Sequence, residues 1–295
     1  MSTREYGILK ELYIRDPSLG GRSVVIYGPP GSGKTTLACK FAREWRTGDY
    51  VLWRDVESVS QTLLYFPHVM LWIPEGAELE LFNRDEGRET CLEELYPPVE
   101  LRYFTSLEDL IHGLVFGYVN TVYMPKWWWL DLLARLHKIW PGREFLSVFI
   151  DEMDDLTPPW PKGKLWQVIE AVVQGLEEYR KSLINIVILA QQARRLYYGI
   201  RDMMMYRIYL PGAKKERDDR FKQGFLDSLP IGKGIIARGQ WEPIEFDPAE
   251  PIRPRIQVRL TGIVEPEPGL GVAPSLPVSI SLGGVIDAEE VLGER

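Results

Sequence analysis

Apolar positions along the chain gather into short, nearly continuous runs separated by polar turns. Ser23–Tyr27 (SVVIY), Glu144–Ile150 (EFLSVFI) and Leu183–Ala190 (LINIVILA) hold almost no polar residue. Runs of this kind predict strands covered on both faces, the inner strands of a parallel sheet. Asp49–Val56 (DYVLWRDV) reads as a further strand. Val69–Ile73, Glu78–Phe82, Val99–Phe104 and Tyr118–Tyr123 are β-like runs in a long middle region, and Met204–Leu210 and Ile231–Arg238 predict late strands. Between these the spacing turns helical: from about Gly33 to Trp45, around Leu107–Leu114, over Pro125–Trp140, and from about Lys164 to Lys181. In PKWWWLDLLARLHKIW, Trp128, Leu132, Leu133, Leu136 and Trp140 fall near one face and are expected to pack on a core. Trp127 and Trp129 point elsewhere and are expected to mark a contact surface.

Strands alternating with helices predict an α/β fold with a doubly wound, mostly parallel sheet. Ligands of such a sheet sit at the carboxyl ends of its strands. Gly28, Asp151 and Gln191 each follow the end of an apolar run, so the prediction brings them together. The organisation expected is one domain over residues 1–245, with an acidic, β-rich insert at about 66–125. Residues 246–295 are expected to form a Pro/Gly-rich arm or tail, since the final 55 residues hold 8 of the 22 prolines.

The stretch GPPGSGKTT, Gly28–Thr36, completes the pattern G-x-x-x-x-G-K-[ST] between a predicted strand and a predicted helix. Glycines let the backbone wrap with its N–H groups inward. A helix beginning near Gly33 aims its positive end at a β-phosphate. Lys34 would reach the β- and γ-phosphate oxygens, and the Thr35 hydroxyl would ligate Mg²⁺. Pro29, Pro30, Gly31, Ser32 and Thr36 complete the loop expected to hold ATP. Asp151 would hold Mg²⁺, and Glu152 would take a proton from the attacking water. Asp154 and Asp155 lie beyond the strand end and read as loop residues. Gln191 or Gln192 is placed to sense the γ-phosphate. Arg194, Arg195 and Arg201 are candidates for a finger reaching the nucleotide of a neighbouring subunit.

Composition narrows the setting. The chain is 45% hydrophobic and 26% charged, ordinary for a globular protein. The apolar run Ile186–Ala190 is far short of the roughly 20 residues that span a bilayer, so no membrane span is expected. The opening residues show no apolar signal segment, and a cytoplasmic setting is expected. Cys39, Cys91 and three scattered histidines have no metal-ligand spacing. The formal net charge of −7 is uneven. Pro74–Glu100 holds 9 acidic and 2 basic residues, while Ala193–Gln240 holds 11 basic and 5 acidic. An acidic chain argues against nucleic-acid binding over the whole surface, but leaves the basic segment, Lys214–Lys222 (KKERDDRFK) above all, for phosphate contacts.

VVIYGPPGSGKTT, FLSVFIDE and INIVILAQQARRL resemble the Walker A, Walker B and sensor strands of P-loop NTPases. The chain looks most like the HerA/FtsK group, which includes chromosome and conjugation pumps, viral packaging ATPases and Zot-like phage assembly proteins. In that group a Gln ends the strand after Walker B, and a Gly-containing late strand closes the core, as in LPIGKGIIARGQWEPIEFD. The resemblance implies a RecA-like P-loop core, ATP and Mg²⁺, Lys34 and Thr35 on phosphate and metal, Asp151 and Glu152 as metal partner and base, and Gln191 or Gln192 as sensor. It implies a homo-oligomeric ring that translocates or packages double-stranded DNA, in the cytoplasm or associated with a virus in an infected cell. The other reading is an ATP-controlled assembly protein without DNA cargo. GTPases would need an N/T-K-x-D motif and ABC proteins LSGGQ, and neither occurs.

Overall fold

The computed structural model describes residues 7–263, and the remainder of the expected tail, 264–295, lies outside the described residues. The strands are β1 Ser23–Tyr27, β2 Asp49–Arg54, β3 Val69–Pro74, β4 Glu78–Asn83, β5 Arg88–Thr90, β6 Glu100–Phe104, β7 Val119–Val122, β8 Phe145–Ile150, β9 Ile184–Ala190, β10 Tyr206–Tyr209, β11 Lys233–Arg238, β12 Gln240–Glu245 and β13 Ile256–Thr261. The helices are α1 Ile8–Glu11, α2 Lys34–Trp45, α3 Gln61–Tyr65, α4 Leu107–His112, α5 Lys126–Ile139, α6 Met153–Leu156, α7 Lys164–Tyr179, α8 Tyr198–Asp202 and α9 Gln223–Asp227.

A 10-stranded sheet runs in the order β12-β11-β10-β1-β9-β8-β2-β7-β3-β6. From β10 to β6 every neighbouring pair is parallel. β11 and β12 close the other edge as antiparallel strands. Pro243 lies in β12, which is the edge strand, the one place a missing N–H costs the ladder nothing. Along β1, Val24 and Ile26 face one side and Val25 and Tyr27 the other, the two-residue period of a strand. The first side packs against α2, the second against α5 and α7. The sheet is thus wound on both faces.

Helix α5 confirms the predicted apolar face: Trp128, Leu132, Leu133, Leu136 and Trp140 are all buried. Each such side chain contributes about 1.5–3 kcal/mol relative to exposure. Trp129, expected on a contact surface, is buried as well, because α5 lies between α4 and α7 and has little free face. Gly175 lets α7 approach this closely, since a Cβ there would lie 2.8 Å from the carbonyl oxygens of Leu133 and Ala134.

The acidic middle region divides. β3, β7 and β6 extend the parallel sheet, while β4 and β5 form a small antiparallel sheet with β13. β3 (VMLWIP) is buried at every position and belongs in a two-sided core. β13 lies in the stretch expected as an extended arm, yet it pairs along β4 from Ile256↔Asn83 to Thr261↔Glu78. Its anchor is Arg253, 4% exposed. The guanidinium donates to the carbonyl oxygens of Leu63 (2.8 Å), Phe66 (2.5 Å), Pro67 (3.2 Å) and Pro97 (2.6 and 2.9 Å). Burial without a carboxylate lowers its pKa to about 10.

At the amino ends of the central strands, Asp49 of β2 is fully buried and bound from three sides. Arg15 Nε donates to it at 2.6 Å, Asn185 Nδ2 at 3.2 Å, and the Ser147 hydroxyl as well. Asn185 also accepts from the Arg22 backbone N–H at 2.9 Å. The network ties β1, β2, β8 and β9 together at one end.

Candidate active site

At the opposite end, β1 runs into the glycine loop. The Gly28 N–H donates to Ala190 O at 3.2 Å, joining the ends of β1 and β9. A Cβ on Gly28 would lie 2.2 Å from Ser32 Oγ, so the turn admits no side chain there. Gly31 (φ +78°) and Gly33 (φ +94°) take the left-handed backbone that glycine adopts freely. α2 then starts at Lys34, with its amino end on the loop. Lys34 Nζ folds back onto its own loop, donating to Gly28 O at 2.7 Å and Pro29 O at 3.2 Å. Ser32 Oγ is buried without a partner. Burial lowers the Lys34 pKa, and Asp151, Asp154 and Glu152 oppose that shift.

Asp151 follows β8 and is 7% exposed. Its Oδ1 accepts the Glu152 N–H at 2.9 Å. Burial first, then the charges of Asp55 and Glu152, push its pKa up to about 7. Glu152 is exposed and holds a left-handed backbone (φ 50°, ψ 49°), unusual for a residue with a Cβ. Glu152 is the residue from which α6 starts, without a side-chain cap.

β9 lies between β1 and β8, so Gln191, which follows it, falls between the ends of the other two strands. A cavity of about 210 Å³ gathers Lys34, Thr35, Pro30 and Gly31 from the loop, Asp151, Glu152 and Asp154 from the β8 end, and Gln191 from the β9 end. A second cavity of about 350 Å³ continues outward past Glu152, Asp154 and Gln191 to Asp155, Pro159 and Arg195. The two share three residues and form one cleft at the carboxyl edge of the sheet.

Of the remaining predicted residues, Arg195 lines the cleft and the others lie outside its lining. Pro29 packs against the Gly212 turn, where a Cβ would sit 3.0 Å from its ring. Thr36 is half-buried in the first turn of α2 and lines neither cavity. Gln192 also lines neither, and its Oε1 is buried without a partner. Arg194 is exposed and outside the cleft; Arg201 is half-buried, likewise outside. Arg195 reaches the cleft and donates to Gln191 Oε1.

Three groups escaped the sequence reading. Asp154, taken for a loop residue, lines both cavities, and burial raises its pKa. Asp55, after β2, is buried and accepts from Ser60 Oγ (2.6 Å), Thr62 Oγ1 (3.0 Å) and Tyr123 OH (3.3 Å). Arg54 ends β2 and donates to the Asp151 carbonyl, holding the β8 turn from beneath. The RD pair in DYVLWRDV was visible, but its value depends on β2 lying beside β8, which no local pattern states.

No protein-family model matches the sequence, and no curated protein matches it. Among solved structures, the genome packaging NTPase B204 from Sulfolobus turreted icosahedral virus 2, in complex with sulfate, superposes with a TM-score of 0.50 at 14% identity, covering 78% of this chain and 97% of that one. Its complex with ATP-gammaS gives a TM-score of 0.48 at 12% identity, covering 79% and 99%. The N-terminal domain of zonular occludens toxin from Neisseria meningitidis gives 0.35 at 13%, covering 78% and 87%. At these identities the likeness is one of fold. The chain shares the α/β fold of the B204 NTPase.

Proposed function

We propose that the chain is a Mg²⁺-dependent ATPase, an oligomeric motor that translocates or packages double-stranded DNA. The observation that carries this is the convergence of Lys34, Thr35, Asp151, Glu152 and Gln191 on one cavity at the carboxyl edge of the sheet.

The chemistry of the donors fits a metal–phosphate ligand. Asp151 is a buried carboxyl with raised pKa and only a backbone N–H in support, a group short of positive charge. Among the described residues no cluster of three or more His, Cys, Asp or Glu could hold a metal alone. Mg²⁺ would therefore be held by Asp151 and Thr35 together with the phosphates. Mg²⁺ held there would supply positive charge against the charge that develops on the phosphates. Lys34 exchanges the Gly28 and Pro29 carbonyls for β- and γ-phosphate oxygens. The inward N–H groups of the loop and the amino end of α2 hold the β-phosphate. Glu152 takes the proton of the attacking water. Gln191 meets the γ-phosphate and registers its loss.

The basic segment supports a polyanionic cargo. Two of its three carboxylates turn inward, Asp218 staying exposed: Tyr27 OH donates to Glu216 at 2.9 Å, and Arg207 pairs with Asp219 at 3.0 Å. Lys214, Arg217, Arg220 and Lys222 stay exposed, and none makes an ion pair among the described residues. The segment follows β10 and reaches the glycine loop through Gly212 and Pro29. A change in the loop on hydrolysis thus has a short path to these cations. No helix among the described residues is long and apolar enough to cross a membrane, and we place the motor in the cytoplasm or with a virus in an infected cell.

Steady-state ATPase assays with and without double-stranded DNA test this. The expected result is DNA-stimulated turnover at low salt, lost in Glu152→Gln, with ATP-analogue complexes forming rings by electron microscopy. Turnover indifferent to DNA, with nucleotide-dependent binding to a protein partner, would favour an ATP-controlled assembly protein instead.

A further inference from the structure

Arg195 follows β9 by five residues, and a short 3-10 turn, Ala193–Arg195, brings it back over the strand end. Its Nη1 donates to Gln191 Oε1 and lies 3.9 Å from Asp154 Oδ2. The Asp154 side chain is only 10% exposed. All three line the outer cavity, and Gln191 and Asp154 line the inner one as well. An arginine has five N–H donors and no acceptor, so the glutamine oxygen must be the atom that meets it. With the oxygen held there, the other end of the same amide carries two N–H donors.

We propose that Arg195 is a positioning residue within its own subunit: by holding the Gln191 oxygen, it makes the amide present its N–H donors, not its oxygen, to the γ-phosphate. This deepens the ATPase reading and rests on it. Asp154 holds the guanidinium in reach. Without Arg195 the amide is free to turn over and offer an oxygen to an anion, which repels it. The contrast with the neighbouring residues is consistent. Gln192 lines neither cavity, so Gln191 is the one able to meet the nucleotide. Arg194 and Arg195 are both exposed, but Arg194 makes no ion pair among the described residues, whereas Arg195 is engaged by Gln191 and Asp154 of its own chain.

The test compares ADP with ATP-gammaS in direct binding to full-length chain. Arg195→Ala should weaken ATP-gammaS by about ten-fold, the equivalent of about 1.4 kcal/mol, and leave ADP unchanged. Gln191→Ala should do the same, and the double variant should lose no more than either single. Arg195→Lys, which keeps a donor, should recover part of the loss. In mixed preparations of Lys34→Ala and Arg195→Ala chains, turnover should not return, since each chain must supply its own arginine. Recovery in the mixture would show action on a neighbour and overturn the proposal. Equal loss of both nucleotides, or additive single losses, would also overturn it. Wild-type chain binding neither nucleotide would overturn the ATPase reading itself, a distinct result.

Discussion

Asp49 opens β2 and Asp151 follows β8, two strands that lie side by side, yet their carboxylates sit in opposite surroundings. Asp49 is buried with Arg15, Asn185 and Ser147 all donating to it. Asp151 is nearly as buried, receives one backbone N–H, and faces Asp55 and Glu152. The nearest cation, Lys34, spends its donors on its own loop. The amino end of the sheet is therefore closed on itself and holds the strands in register. The carboxyl end keeps a carboxyl with one donor and a hydroxyl without a partner, and on the proposed reading a phosphorylated ligand with its metal would supply what they lack. Burial alone does not separate structure from function here; the degree of satisfaction does.

Removing Asp49 should cause the largest effect. Asp49→Ala strands Arg15, Ser147 and Asn185 together, and should cost about 3–5 kcal/mol in urea unfolding. A loss of less than about 1 kcal/mol would erase the difference between the two ends. Asp151→Asn should act in the other direction. The folded-state pKa of Asp151 is about 7 against an ordinary 3.8, so the folded chain holds a proton there that the unfolded chain has released. For a raised carboxyl the penalty is absent below about pH 4, grows in between, and is complete above about pH 7. Asn removes the penalty while keeping an oxygen for the Glu152 N–H. The ligand-free variant should gain on the order of 2–4 kcal/mol at pH 8 and nothing at pH 4, with turnover abolished. An equal gain at both pH values would place the cause outside ionisation.

The sequence made the repetitive parts plain. SVVIY, EFLSVFI and LINIVILA became β1, β8 and β9 because strands buried on both faces leave continuous apolar runs. The glycine loop was legible because its conformation demands particular residues at fixed spacing. What stayed hidden depends on distant partners. β13 follows prolines and charges, and it is a strand only because β4 offers an edge and Arg253 is captured by four carbonyl groups almost two hundred residues away in the chain for most of them. Asp55 and Arg54 gain their place from β2 lying next to β8. The difference between Gln191 and Gln192 is the alternation of a strand carried one residue past its end, and only Gln191 lines the inner cavity.

The smallest predicted effect bears on the strain at Glu152. A left-handed backbone on a residue with a Cβ costs about 1–2 kcal/mol, and glycine adopts it without that cost. Glycine also gives the unfolded chain more freedom, which offsets part of the gain. Glu152→Gly should therefore raise stability by about 0.5–1 kcal/mol while abolishing turnover. Glu152→Gln, which keeps the Cβ and the strained turn, should leave stability within about 0.5 kcal/mol of wild type and lose turnover equally. The pair separates backbone from carboxylate at one position. A stabilised, inactive glycine variant beside an unchanged, inactive glutamine variant would mean that the turn is held in a costly conformation for the sake of where it aims the acid. Glycine and glutamine variants of equal stability would remove strain from the contrast between the two ends of the sheet, and leave unsatisfied charge as its whole cause.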